Sequence, residues 1–129
     1  MTKLKIAVDF DHTLTHNSVQ SFIQQLIKNG IDVHIVTARF DSIDKYNEEF
    51  KVKYHIRDIE RQFYHLYEIA DKLNIPKENI HYCNMLPKYI FFIDNKDFLF
   101  HLDDDEIEIE DINRHTKTRG IKFGGSTWK

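Results

Sequence analysis

Short apolar runs and helical stripes alternate along this chain. Residues 4–8 (LKIAV) and 33–37 (VHIVT) are short, apolar and rich in β-branched side chains, which predicts two buried strands. From Asn17 onward, apolar residues recur at three- and four-residue spacing, which predicts a helix that ends at Gly30. Asn17 and Gln20 resemble a capping box at its start. Because the connection is long enough for a crossover, the two strands are predicted to be parallel.

The same alternation continues to the end of the chain. The predicted elements are a helix at 59–73, a strand at 80–83, a helix at 87–95, a strand at 98–102, a helix at 106–114 and a strand at 120–123. Strands that alternate with helices predict an α/β fold, a three-layer doubly wound sandwich with a mostly parallel central sheet. Residues 1–123 are therefore predicted to form one domain, with 124–129 as a short C-terminal tail.

Composition and charge narrow the class of protein. A chain of 129 residues suits a single hydrophobic core. With 18 basic and 21 acidic residues the formal net charge is −3, so stable nucleic-acid binding is not expected. The single cysteine, Cys83, cannot form an intramolecular disulfide, and the N-terminus lacks the pattern of a secretory signal. No apolar run reaches the roughly 20 residues of a membrane-spanning helix, so a cytoplasmic protein without membrane contact is expected.

Polar side chains follow the carboxyl end of each predicted strand. They are Asp9, Asp11, Thr13 and Thr15 after the first strand, Thr37 and Arg39 after the second, Asn84 and Lys88 after the third, and Asp103 and Asp104 after the fourth. Loops beyond these strand ends form the ligand crevice of an open parallel sheet, so the side chains are expected to meet there. Carboxylates beside a lysine, hydroxyl groups and helix N-termini suit Mg²⁺ together with a phosphate group.

Two aspartates separated by one residue suit the hydrolysis of a phosphate ester. The first carboxylate, Asp9, can attack phosphorus and form an aspartyl-phosphate that water then hydrolyses. The second, Asp11, can protonate the leaving alkoxide and later accept a proton from the incoming water. A lysine and a metal ion offset the charge on the transferring phosphoryl group.

These residues resemble the motifs of the haloacid-dehalogenase-like (HAD) hydrolase superfamily. VDFDHTLT resembles motif I, VHIVTAR resembles motif II, Lys88 fits the lysine of motif III, and FLFHLDDD resembles the acidic motif IV. The resemblance spans residues 4–110, with the motifs in the family's order. It implies a Rossmann-like, magnesium-dependent phosphatase. The implied substrate is a phosphate monoester, either a phosphorylated small molecule such as a nucleotide or the phosphorylated end of a macromolecule.

The resemblance also implies a role for each matching residue. Asp9 would be the nucleophile and a magnesium ligand. Asp11 would be the general acid and base, with its backbone carbonyl reaching the metal. Lys88 would neutralise charge between the nucleophile and the phosphate. The implied metal site is Asp9, Asp11, Asp103 and Asp104, with Asp104 rather than Asp103 as the preferred direct carboxylate ligand of motif IV.

Substrate contacts are implied as well. The implied substrate-binding residues are Thr13, Thr37, Ala38, Arg39 and Lys88. Thr37 would hydrogen-bond the phosphoryl group, and Thr13 would mainly shape the motif I loop. Arg39 is open to a second interpretation, since it could equally form a surface ion pair.

The chain departs from the family pattern at a few points. His12 stands where the family often has glycine, which makes the motif I loop bulkier. The acidic residues at 94–97 follow Lys88 too closely for a helix and a strand to return to the crevice, so they are not taken as motif IV. Because Thr15 leads almost directly into a helix, and residues 39–80 have room for one long helix, no large substrate cap is predicted. The polar segment 41–57 is predicted to govern substrate selectivity.

Other functions compete with the phosphatase hypothesis. A non-catalytic module could keep the same fold and bind metal or a phosphorylated ligand. A flavodoxin-like phospho-accepting domain would place its aspartate after the third strand, where this chain has Cys83 and Asn84. A dinucleotide-binding oxidoreductase would need GxGxxG after the first strand, and that motif is missing. Taken alone, Asp9 and Asp11 could also cap a turn.

Overall fold

The computed structural model describes residues 3–41 and 56–124, with the backbone alone for 56–63. Its strands and helices are β1 (Lys5–Val8), α1 (Asn17–Lys28), β2 (Asp32–Thr37), α2 (Ile56–Lys72), β3 (Ile80–Tyr82), α3 (Lys88–Asp94), β4 (Phe98–Asp103), α4 (Glu106–His115) and β5 (Arg119–Lys122). An irregular helical turn, Phe10–Leu14, follows β1, and a 3₁₀ turn, Lys77–Asn79, precedes β3. The predicted α/β alternation is confirmed.

The strands form one parallel sheet in the order β3-β2-β1-β4-β5. In the centre of the sheet, Val8 of β1 lies level with Ile35 of β2 and Leu102 of β4. From β1 the chain proceeds outward to β2 and β3, and then returns to the other side of β1 with β4. The strand order therefore reverses between β1 and β4, and open parallel sheets bind ligands beyond the carboxyl ends of the strands at such a point.

Two hydrophobic clusters hold the helices against the sheet. The first contains Ile6 and Val8 of β1 with residues of α1 and α2. The second contains Ala7 with Phe92 of α3 and Ile112 of α4. Because successive residues of a strand face opposite sides, helices cover both faces of the sheet. A fully buried aliphatic or aromatic side chain contributes about 1.5–3 kcal/mol to the stability of the fold. The position of β1, and of the residues that follow it, is therefore firmly fixed.

The ends of α1 match the sequence analysis in one respect and differ in another. Gly30 ends the helix as predicted, with a left-handed φ of 83° that glycine adopts without strain. The capping box predicted for Asn17 and Gln20 is wrong. Asn17 is the first helical residue after an extended His16, and Gln20 is buried and donates instead to the carbonyl of Leu14 at 3.0 Å. This contact satisfies the carbonyl of the buried Leu14, which would cost about 1–3 kcal/mol if it were left unpaired.

The described residues leave part of the sequence analysis without a structural test. Most of the segment 41–57 and of the tail 124–129 lies outside them, at 42–55 and 125–129. The first position for a cap holds only His16 between Thr15 and α1. Among the described helices, none has the length and apolar character that crossing a bilayer requires.

Candidate functional site

The candidate site lies where the strand order reverses, at the carboxyl ends of β1 and β4. Asp9 directly follows β1, and its backbone N–H donates to the Leu102 carbonyl at 2.8 Å. Asp103 is the last residue of β4. The parallel register thus sets two aspartates side by side, one from each strand, as the sequence analysis predicted for the first and fourth strands.

Lys88 joins these two carboxylates. Its ammonium donates to Asp9 Oδ1 at 2.7 Å and to Asp103 Oδ2 at 2.6 Å. All three residues are at most 5% exposed. A lysine in the first turn of a helix opposes the helix dipole, and these two contacts explain its position at the start of α3. The Lys88 backbone N–H is satisfied by Glu108 Oε2 of α4 at 3.3 Å.

Asp9, Asp103 and Lys88 shift one another's pKa values. Burial raises the pKa of the Asp9 carboxyl, against the attraction of Lys88. Burial also disfavours ionised Asp103, but the hydrogen bond from His101 and the charge of Lys88 outweigh it and hold the pKa of Asp103 below its ordinary value. Burial works against the charge of Lys88, yet the two aspartates outweigh it and raise the pKa of the lysine. Lys88 therefore stays a cation throughout the physiological range.

Asp9, Asp103 and Asp104 form an aspartate cluster that suits a metal ion. Within the described part of the chain, each offers a carboxylate oxygen, and these oxygens lie within 4.8 Å of one another. The Thr13 hydroxyl lies 3.3 Å from Asp9 Oδ2 and 3.2 Å from Asp104 Oδ1, and can donate to one of them at a time. Carboxylate oxygens are the ligands that hard divalent cations prefer, so this cluster could hold a metal ion. The Asp11 carboxylate is not in this cluster, and the metal contact predicted for its backbone carbonyl stays a prediction.

His101 is a site residue that the sequence analysis missed. It is fully buried in β4, and its Nε2 lies 2.8 Å from Asp103 Oδ2. Burial lowers its pKa to about 4, so the imidazole is neutral at pH 7 and the contact assigns the proton to Nε2. Its two-residue spacing from Asp103, which puts both on one face of the strand, was the available signal. His101 fixes the orientation of the Asp103 carboxylate.

The residues after β2 form the other wall of the site. Thr37 ends the strand and is fully buried, and its Oγ1 accepts a hydrogen bond from the Arg39 backbone N–H at 3.2 Å. The Ala38 carbonyl accepts from the Met85 N–H at 2.7 Å, which ties the loops after β2 and β3 together. Arg39 forms an ion pair with Asp11, Nη2 to Oδ1 at 2.7 Å. One partner of Arg39 is thus Asp11, and the predicted contact of Arg39 with substrate stays a prediction.

The motif I loop departs from regular helix at His12. Its φ of 60° lies in the left-handed region that favours glycine, which accounts physically for the glycine that the resembled family often has there. His12 is exposed and takes no part in the aspartate cluster. Asn84 and Met85, after β3, are left-handed as well, with φ of 53° and 64°. Strained backbone of this kind concentrates at functional loops.

Cys83 stands close to the site without being activated. Burial raises the pKa of its thiol to about 11, and the nearby Lys88 only partly opposes this shift. The thiol is therefore protonated at pH 7 and is no candidate nucleophile.

Comparisons with known proteins add no family to this geometry. No model of a protein family matches the chain, and no curated protein matches its sequence.

Proposed function

We propose that this protein is a magnesium-dependent phosphatase that hydrolyses a phosphate monoester through an aspartyl-phosphate on Asp9. The observation that carries the proposal is the contact of Lys88 with Asp9 and Asp103, inside an aspartate cluster at the point where the strand order reverses. A buried lysine and a cation site beside a carboxylate nucleophile can offset the charge that develops during phosphoryl transfer.

Asp9 is the attacking group in this proposal. One of its oxygens forms a bond to phosphorus while the bond from phosphorus to the ester oxygen breaks, and Asp11 gives a proton to the departing alkoxide. Water then attacks phosphorus, Asp11 takes a proton from it, and Asp9 is released as a carboxylate with inorganic phosphate as product.

The remaining residues offset negative charge and position the reacting groups. Mg²⁺ held by Asp9, Asp103 and Asp104 would supply positive charge to the phosphoryl oxygens. Lys88 offsets the charge shared by Asp9 and the incoming phosphate, and it is held in place by Asp103. Thr37 provides a hydroxyl at the end of β2, where the phosphoryl group would bind.

A HAD-like, three-layer arrangement of the fold is part of this proposal. The sheet order and the helices on both faces suit the three-layer HAD-like arrangement. Asp9, Thr37 and Asp103 lie at strand ends and Lys88 at the start of α3, which also supports this part of the proposal. The short link from Thr15 to α1 suits a protein without a large cap. A crevice without a large cap, as the sequence predicts, would suit a nucleotide or the phosphorylated end of a macromolecule as substrate.

The pairing of Asp11 with Arg39 favours a second candidate. A carboxylate held at 2.7 Å and 2.9 Å by a guanidinium is not directed at a leaving group. A non-catalytic module that binds metal and a phosphorylated ligand would tolerate this contact permanently.

Phosphate release separates the two candidates. Wild type is assayed on a panel from an aryl phosphate through nucleotides to 3′- and 5′-phosphorylated oligonucleotides, with magnesium or with chelator. The phosphatase predicts magnesium-dependent turnover that Asp9→Asn abolishes. Asp97→Asn is the matched control, because Asp97 is exposed and pairs with Lys5 on the surface. This variant should retain full activity. Folded, magnesium-binding protein that releases no phosphate from any ester would favour the binding module.

A further inference from the structure

Arg39 and Asp11 form a two-point ion pair across the candidate site. Arg39 Nε donates to Asp11 Oδ2 at 2.9 Å, and Nη2 donates to Oδ1 at 2.7 Å. Parallel donation of this kind is the strongest geometry between a guanidinium and a carboxylate. It engages the side chain that the proposed function needs at the leaving group.

The arginine is held from several directions. Its guanidinium lies 4.9 Å from the centroid of the Phe10 ring, which is itself fully buried. Its backbone N–H donates to Thr37 Oγ1, and its carbonyl accepts from the Asn84 N–H at 3.1 Å. The guanidinium is thus a fixed cation at the end of β2, and Asp11 is the more movable member of the pair.

The two cations that contact motif I carboxylates differ in accessibility. The side chain of Lys88 is 3% exposed and lies between two buried aspartates, so a dissolved anion cannot replace its partners. The side chain of Arg39 is 20% exposed and that of Asp11 is 46% exposed. An anion that enters the crevice can therefore reach this pair.

We propose that the Arg39 guanidinium is an anion-exchange site, at which the phosphoryl group of the substrate displaces the Asp11 carboxylate. A phosphate group presents two oxygens to a guanidinium in the same forked manner as a carboxylate. The exchange binds the phosphoryl group and at the same time frees Asp11 to turn to the leaving oxygen. Rigid Arg39 is then both a substrate ligand and the holder of Asp11 in the ligand-free protein. This inference rests on the proposed function.

A binding cycle with inorganic phosphate tests the exchange without turnover. Isothermal titration calorimetry with Mg²⁺ present compares wild type, Asp11→Asn, Arg39→Gln and the double variant. Removing the competing carboxylate should tighten phosphate binding about fivefold, the worth of a partly exposed ion pair. Arg39→Gln should weaken binding about tenfold, since a charge-assisted two-point contact is lost. In the double variant, Asp11→Asn should have no further effect, because no guanidinium remains to be released.

The contrary result is equally specific. If Asp11→Asn tightens phosphate binding as much without Arg39 as with it, only the local negative charge matters and the exchange is wrong. Arg39→Lys keeps the charge but cannot form the fork, so full phosphate affinity in that variant would also overturn the proposal. If thermal unfolding shows that Arg39→Gln does not fold, Arg39→Met takes its place in the cycle, because methionine is also uncharged.

The same experiments separate this inference from the phosphatase proposal. Wild type that hydrolyses esters while the Asp11 and Arg39 effects simply add would refute the exchange and leave the phosphatase intact. Wild type that neither binds phosphate nor hydrolyses any ester would refute both.

Discussion

The Lys88 ammonium lies 2.7 Å from Asp9 Oδ1, although 79 positions separate these two residues in the chain. Both side chains are almost inaccessible to water. A buried pair of this kind compensates its desolvation only if its remaining charge is also partnered, and Asp103 with its own contact to His101 provides that partner. The network therefore holds a carboxylate at the crevice in a defined orientation.

Lys88→Met should destabilise the protein strongly. The substitution leaves Asp9 and Asp103 buried without their cation, and breaking a buried pair in this way costs about 3–5 kcal/mol. Urea unfolding measures the free energy of unfolding of both proteins, and added Mg²⁺ should restore part of the loss. Lys122→Met is the control, since its contact with Glu106 at 3.4 Å is exposed and its loss should cost less than about 1 kcal/mol. Equal stability of the two variants would contradict the network.

Substitutions of the adjacent residues Asp104 and Asp105 should affect different properties, metal binding in one case and stability in the other. Asp104→Ala removes an oxygen of the aspartate cluster and should weaken magnesium binding at least about tenfold, with little effect on folding. Asp105 instead caps α4, accepting from the backbone N–H groups of Ile107 and Glu108. Asp105→Ala should cost about 1 kcal/mol of stability and leave magnesium binding unchanged. Magnesium titration and thermal unfolding of both variants test this assignment. Unchanged magnesium affinity in Asp104→Ala, or weakened affinity in Asp105→Ala, would contradict it.

Thr37→Val should impair catalysis more than folding. Valine keeps the shape of this buried side chain but loses the oxygen that accepts from the Arg39 N–H and that, in the proposed function, contacts the phosphoryl group. We expect kcat/KM for an aryl phosphate to fall by about a hundredfold, the usual effect of losing one positioned group, and stability to fall by about 1 kcal/mol. Thr37→Ser keeps the hydroxyl and should retain most of the activity. A serine variant as impaired as the valine variant would argue for packing alone.

A histidine pair away from the site should contribute to a loss of stability on acidification, in addition to the buried His101. His34 Nδ1 lies 2.9 Å from His81 Nε2, and His34 Nε2 lies 3.0 Å from Asp32. Burial lowers the pKa of His81, and His34 lowers it further. Below a pH of about 6.5, the ordinary value of the unfolded chain, the unfolded state binds more protons than the folded state. The stabilisation is therefore complete above that pH and is lost progressively as the pH falls toward the lower folded pKa.

Urea unfolding at pH 7.5 and 5.5 checks the histidine prediction. Wild type should be less stable at the lower pH, and His81→Gln, which cannot titrate, should show a smaller difference between the two values. An identical difference in both proteins would mean that this pair does not carry the pH dependence.

The fold was largely predictable because the hydrophobic patterns of its strands and of its helices are distinct. Runs such as 33–37 and stripes such as that before Gly30 leave little choice between strand and helix, and the buried parallel strands need no polar face. The boundaries of α3, predicted at 87–95 and found at Lys88–Asp94, show the ordinary error at helix ends.

The site was predictable only where a motif marks it. Asp9 and Asp103 lie at the ends of the neighbouring strands β1 and β4, so the sheet topology brings them together. Lys88 begins α3 and reaches them from the edge-strand side, a contact that only the motif resemblance predicted. His101 was missed because its two-residue spacing from Asp103, the available signal, belongs to no motif. The choice between substrate contact and ion pair for Arg39 depends on where the Asp11 side chain turns in three dimensions, which sequence spacing does not encode.

Chemical trapping of the intermediate tests the central claim, that Asp9 becomes phosphorylated. Wild type is mixed with magnesium and its best panel ester, quenched during turnover, reduced with borohydride and examined by tandem mass spectrometry, since reduction converts a phosphorylated aspartate to homoserine. We predict homoserine at position 9 in wild type, and none with chelator or in Asp9→Asn. Sustained turnover with an unmodified Asp9, or with the label on another carboxylate, would contradict the account.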